Sequence, residues 1–115
     1  MSTDLKASVR KQGEAIAIVD MKGDVTSFAD ETINGLVNTT YDEGFRKFIL
    51  NFTDVSYINS SGIAILIGII TRLNSKGVSF RVYGLTPHFK KIFRMIGLTQ
   101  YVEVSGSEQE ALAGF

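Results

Sequence analysis

Residues 47–77 begin Lys47-Phe48-Ile49-Leu50-Asn51-Phe52 and continue through Thr53-Asp54-Val55-Ser56-Tyr57-Ile58 to Asn59-Ser60-Ser61-Gly62. An apolar run follows, Ile63-Ala64-Ile65-Leu66-Ile67-Gly68-Ile69-Ile70, and the stretch closes on Thr71-Arg72-Leu73-Asn74-Ser75-Lys76-Gly77. The first six residues have the near-continuous apolar character of a strand covered on both faces. Asn59 is a favoured N-cap, and Gly77 stands where a helix C-terminal glycine belongs, so a helix is expected from Ser60 to Lys76. A buried strand leading directly into a capped, buried helix is one step of an α/β fold.

The flanks extend that alternation. Upstream, Leu5-Lys6-Ala7-Ser8-Val9-Arg10 alternates apolar with polar, the period of a half-exposed strand. A turn at Gln12-Gly13 and the strand-like Ala15-Ile16-Ala17-Ile18-Val19-Asp20-Met21 complete a predicted opening hairpin, with Lys22-Gly23-Asp24 breaking its second strand. Ser27 can cap a helix to about Tyr41, with Ile33, Leu36, Val37 and Thr40 on one face and Gly44 at its end. Gly35 weakens that helix by about 1 kcal/mol relative to Ala.

Downstream, Val78, Phe80 and Val82 alternate with polar residues as a further strand. Thr86-Pro87 places a cap before proline at the first helical position, and Phe89, Ile92, Phe93 and Ile96 share one helix face ended by Gly97. Tyr101, Val102 and Val104 predict a short last strand, and Ser107 with Glu110 a capping box before a terminal helix. The expected fold is α/β: one domain over residues 1–115, with a mixed sheet, an opening hairpin and then alternating helices and strands.

Composition narrows the function. The 115 residues are 44% hydrophobic and 21% charged, with 12 basic and 12 acidic side chains. That zero balance argues against a dedicated nucleic-acid or membrane-surface binder. The chain has no cysteine and a single histidine, which excludes thiolate chemistry and His-cluster metal sites. The apolar run of residues 63–70 is too short to span a bilayer, and the first ten residues lack the apolar core of a secretory signal. A compact, neutral, cytoplasmic domain without membrane insertion is expected. The sequons at Asn38, Asn51 and Asn59 are then chance matches.

Few residues suit catalysis. Walker, His-Glu-x-x-His and Gly-x-Ser-x-Gly motifs are missing. His88 falls in a first helical turn, where a solvated histidine is the simpler reading. Asp42-Glu43 and Glu108 with Glu110 fit solvation and helix-dipole complementation. Lys90, Lys91 and Arg94 share a polar face, read as solvated. Tyr101 and Phe115 read as peripheral packing. No catalytic residue, metal or cofactor is expected.

The turn Asn59-Ser60-Ser61-Gly62 sets two hydroxyls at a helix N-terminus, where unpaired backbone amides carry partial positive charge. Three readings of it stay open. It is a helix cap, or a site where phosphate on a serine meets donors already in place, or a nucleophile, although no base is placed by sequence to activate one.

The order of elements and this turn together resemble the STAS family, the domain shared by bacterial anti-sigma factor antagonists and anion-transporter tails. The resemblance spans nearly the whole chain. It is most specific over Ile49-Leu50-Asn51-Phe52, Val55-Ser56-Tyr57-Ile58 and Asn59-Ser60-Ser61-Gly62-Ile63, which looks like the strand, lead-in and phosphorylation turn of the antagonists. Gly77 before a strand, and Pro87 through Gly97-Leu98, also fit.

The resemblance implies a switch. Such antagonists bind an anti-sigma factor that is also a serine protein kinase, and so release a sigma factor. The kinase modifies the first serine of the turn, here Ser60 ahead of Ser61, and a phosphatase resets it. The implied partner surface comprises Asp24, Thr26 and Ser27 with Asn59, Ser60, Ser61 and Gly62, on a monomer or weak dimer. Asn59 stands where the family usually has an acidic residue, and Thr26 where the antagonists commonly carry aspartate. Two other roles are considered: a non-phosphorylated STAS scaffold in a transport or stress-signalling complex, which Asn59 favours, and a small-molecule sensor using the helix N-terminus as an anion site.

Overall fold

A computed structural model describes residues 4–115. Strands β1 (Lys6–Gln12) and β2 (Ile16–Val25) form the antiparallel hairpin that the alternating pattern predicts, with Val9 opposite Val19. Strands β3 (Lys47–Ile58), β4 (Ser79–Tyr83) and β5 (Val102–Val104) add to it in parallel, in the order β1-β2-β3-β4-β5. Between them run helices α1 (Asp30–Asp42), α2 (Ser60–Asn74) and α3 (Pro87–Met95), and α4 (Glu108–Ala113) ends the chain.

Because successive parallel strands advance in one direction, right-handed crossovers put α1, α2 and α3 on one face of the sheet. Ile33 and Val37 of α1, Leu66, Ile69, Ile70 and Leu73 of α2, and Phe89 and Phe93 of α3 join one buried cluster there. The sheet contributes Ala17, Val19, Phe48, Leu50, Phe52, Phe80 and Val82 from alternate positions. Phe52 and Phe93 meet edge to face at 5.6 Å, a geometry favoured by the ring quadrupoles.

The opposite face is covered differently. Ala111 of α4 packs on Ile18, Ile49 and Tyr83, with Leu112 and Phe115 half-buried at the margin. A polar cluster ties this helix to the hairpin. Arg10 donates from Nε to Asp20 Oδ2 at 2.5 Å and also pairs with Glu108. Tyr83 OH donates to Glu108 Oε1 at 2.9 Å, and Asn51 Nδ2 to Asp20 Oδ1 at 2.7 Å. Glu108 is thus an inter-element ligand as well as a first-turn acid. Glu43 likewise pairs with Lys11 at 3.0 Å, beyond the solvation expected of it.

Three boundaries differ from expectation. The Lys22-Gly23-Asp24 segment does not end β2. The strand runs on to Val25, and its pairing with β3 slips between Asp20 and Lys22 and between Gly23 and Asp24. Gly23, at φ 111°, adopts a conformation other residues resist, so the irregularity is absorbed as a bulge. Ser27 is not the cap: Thr26, one residue earlier, caps a 3-10 turn at Ser27–Ala29, and α1 starts only at Asp30. Helix α2 stops at Asn74, two residues short, where a 3-10-like last turn closes on Gly77. Pro87 at the first position of α3 and the cap at Thr86 stand as read. Ser107 caps α4, but Glu110 Oε2 accepts from the Gly106 amide at 2.8 Å and not from that of Ser107, so the box is closed one residue early.

Only residues up to Asn51 of β3 have partners on β4, the last pair being Asn51 with Tyr83. Beyond it, β2 and β3 continue together; β1 leaves at the Lys6–Lys22 pair, and the last rungs form a two-stranded ribbon that ends with Asp24 beside Tyr57 and Val25 beside Ile58. This ribbon carries the site.

Candidate functional site at the β2–β3 tip

Asn59 leaves β3 in extended conformation, and its side-chain Oδ1 accepts from the Gly62 amide at 2.8 Å. That satisfies the third orphan donor of α2 and leaves the amides of Ser60 and Ser61, at the first two positions, without an intrahelical partner. Both serines are exposed while Gly62 is buried. The two hydroxyls are therefore presented on a backbone that is fixed on either side of them.

The fixing partner is Val25. Its carbonyl oxygen accepts from the Asn59 amide at 3.2 Å. A Cβ on Gly62 would lie 2.0 Å from the same oxygen, so only glycine fits. The turn and the Asp24–Ser27 loop are thereby one unit, and all seven residues singled out as a partner surface fall within it. Asp24 and Thr26 are half-buried; Ser27 is exposed. Thr26 Oγ1 accepts from the Phe28 amide at 3.3 Å, which leaves its hydroxyl proton for another acceptor.

Phe28 was not singled out by sequence. It is 83% exposed, the most exposed large apolar side chain described, and Tyr57 at the same tip is 53% exposed. Periodicity does not separate an exposed aromatic from a core one; the available signal was an aromatic directly following a capping Thr-Ser pair.

The remaining candidates lie elsewhere. His88 is exposed, its ring 5.9 Å from that of Phe89. Lys90, Lys91 and Arg94 are exposed on α3, and Tyr101 is 40% exposed. Among the described residues, no three His, Cys, Asp or Glu side chains are grouped as a metal site, and no helix is long and apolar enough to cross a membrane. The shifted titrations belong to the α4 face. Hydrogen bonding to Arg10 holds Asp20 below the usual carboxylate range, with Asn51 adding to the effect. Arg10, then Tyr83, does the same for Glu108. Burial, with the Glu108 bond, pushes Tyr83 up to about 12.

The family model of the STAS domain matches residues 6–111. This chain belongs to the STAS domain family. It is similar to BtrV of Bordetella bronchiseptica, 24% identical over 102 residues, covering 89% of this chain and 88% of the relative. It is also similar to the anti-sigma-B factor antagonist of Staphylococcus aureus, 23% identical over 93 residues, covering 80% of this chain and 86% of that protein. Among solved structures, phosphorylated SpoIIAA, a Bacillus cell fate determinant, superposes with a TM-score of 0.74 at 20% identity, over 95% of this chain and 98% of that one. The expected family and α/β fold are both borne out.

Proposed function

We propose that this STAS domain is an anti-sigma factor antagonist of the cytoplasm, acting as a monomer or weak dimer. It binds an anti-sigma factor that is also a serine protein kinase, through the Asp24–Ser27 loop and the Asn59–Gly62 turn, and a sigma factor is released. The kinase phosphorylates Ser60, the complex weakens, and a phosphatase restores the free hydroxyl. The observation that carries this reading is the exposed Ser60–Ser61 pair on a turn locked by Asn59 and by the Gly62–Val25 contact. The S. aureus relative's name supports it.

The electrostatics suit a switch acting on binding more than on folding. A phosphate on Ser60 adds roughly −1.5 to −2 charges beside the first-turn amides of α2, where negative charge is favoured. The domain therefore tolerates it. A closely apposed partner meets new charge and a bulky hydrated group where two small hydroxyls had been. Asn59 supplies the cap without a carboxylate of its own, so the phosphate faces no like charge at the preceding residue.

Ser60→Asp and wild-type baits, compared by pull-down from native cells and mass spectrometry, test the proposal. A kinase-type anti-sigma factor held by wild type and lost with Ser60→Asp supports it. Equal retention of that factor by both baits ends the switch reading. Asn59 favours one other role, a non-phosphorylated scaffold, because the cap is complete with the serines unmodified. Transport components held equally by both baits are its signature.

A further inference from the structure

Phe28 sits in a position that packing does not explain. Its neighbour Ala29 is buried, and the Ala29 amide donates to Thr26 O at 2.9 Å. The Phe28 amide donates to Thr26 Oγ1. The backbone is thus held on both sides of the ring while the ring itself is 83% exposed. Single exposed apolar residues are ordinary on protein surfaces. This one is set apart by its place: three residues after Val25, whose carbonyl anchors Asn59 and fits against Gly62. The 3-10 turn that carries it also packs against α2. Tyr57, beside Asp24 at the end of the ribbon, adds a second exposed aromatic.

The charges near it are mainly acidic, with Lys22 and Arg72 at the margins. Lysine and arginine are absent between Lys22 and Arg46, and again between Lys47 and Arg72. The tip lies within these two segments; nearest Phe28 in the chain are Asp24, Asp30 and Glu31, while Asp54 stands opposite Lys22 on the ribbon and Asp42 and Glu43 lie at the far end of α1. In a chain of zero net charge, Asp24, Asp30 and Glu31 are a local concentration of carboxylates flanking an aromatic.

We infer that Phe28 is the apolar anchor of the partner contact, entering an apolar pocket on the anti-sigma factor whose rim is lined by Lys and Arg. This inference rests on the antagonist reading above. The backbone that carries the ring is already fixed, so docking orders only the side chain, and aromatic anchors in desolvated pockets dominate interface energies. The acidic surround steers a basic rim onto it and makes association salt-dependent. A phosphate on Ser60 then adds charge to a surface whose registry with the partner is set by Phe28.

The test uses the full chain titrated by calorimetry against the purified anti-sigma factor kinase recovered with the wild-type bait. Phe28→Ala is expected to weaken binding on the order of thirtyfold or more, with Phe28→Leu intermediate. Met95→Ala, which truncates another exposed apolar side chain on α3, is expected to leave it unchanged. Raising salt from about 50 to about 500 mM should weaken the wild-type complex. Thermal unfolding of Phe28→Ala should match wild type, because the ring buries little. Phe28→Ala binding within about threefold of wild type, while Ser60→Asp still weakens it, overturns the anchor and leaves the switch standing. Salt-independent binding overturns the basic rim. If the wild-type chain binds no anti-sigma factor at all, the antagonist reading fails and this inference falls with it.

Discussion

Gly62 lies directly against the carbonyl oxygen of Val25: a Cβ at position 62 would sit 2.0 Å from that oxygen and 2.6 Å from its carbon. Both obstacles are backbone, and the Asn59 amide is hydrogen-bonded to the same carbonyl. Gly62→Ala therefore has to push α2 away from the end of β2 instead of rotating a side chain aside. The expected cost is about 1–3 kcal/mol, the range for overpacking a closed site. Urea denaturation measures it. The same displacement moves Ser60 relative to Thr26, so partner binding should fall along with stability. Wild-type stability in Gly62→Ala would show that the contact opens freely.

Gly68 is the opposite case on the same helix. A Cβ there meets nothing within 4 Å, and the position is exposed in the interior of α2. Gly35 in α1 is likewise open. Alanine at either site removes backbone freedom from the unfolded chain and adds helix propensity, so each variant should gain roughly 0.5–1 kcal/mol. Chemical denaturation reads both. A loss at Gly68 would mean that the groove it shares with Asp30, Asn34 and Arg72 needs its open floor for packing.

Much of this was legible in sequence because the signals were local. The Asn59 cap, the Thr86-Pro87 start and the Ser107 cap are each decided within four residues, and each holds. The Lys22-Gly23-Asp24 segment misled because its composition is that of a turn, whereas pairing with β3 carries the strand through it. The Thr26 cap was misplaced by one residue for a similar reason. Ser27 is at least as good a cap by residue type, so type alone does not decide between them. The Arg10–Asp20–Glu108–Tyr83 cluster joins side chains from β1, β2, β4 and α4. Residues 98 positions apart leave no periodic trace that would pair them. The site's serines were visible, but the exposure of Phe28 depends on how its short turn leans on α2.

Asn59 separates cap from charge. Its Oδ1 bond to the Gly62 amide should contribute about 1 kcal/mol, which Asn59→Ala removes. Asn59→Asp keeps an acceptor at the same place and adds charge that the α2 N-terminus favours, by roughly 0.3–1 kcal/mol. The order of thermal midpoints should be Asp above or equal to Asn, and both above Ala. An alanine variant as stable as wild type would show that solvent caps Gly62 as well as Asn59 does.

The α4 face supplies a pH dependence whose sign is fixed by its titrations. Hydrogen bonding to Arg10 is the leading cause that lowers both Asp20 and Glu108 in the folded chain. Unfolded, these groups titrate at about 3.9 and 4.3. A carboxyl that is more acidic folded than unfolded contributes stability that is complete above its unfolded value. That contribution is lost as pH falls through the folded value. Wild type should therefore lose stability steeply below about pH 4. Arg10→Gln removes the guanidinium that depresses both groups and should start less stable at neutral pH, yet fall less on acidification. Arg10 is about half exposed, with side-chain accessibility of 47%, so salt should shrink the difference. Thermal unfolding of the two proteins from pH 7 down to about 2 gives the comparison. A stability gap that stays constant across that range would show that the Arg10 cluster orders α4 without linking it to protonation.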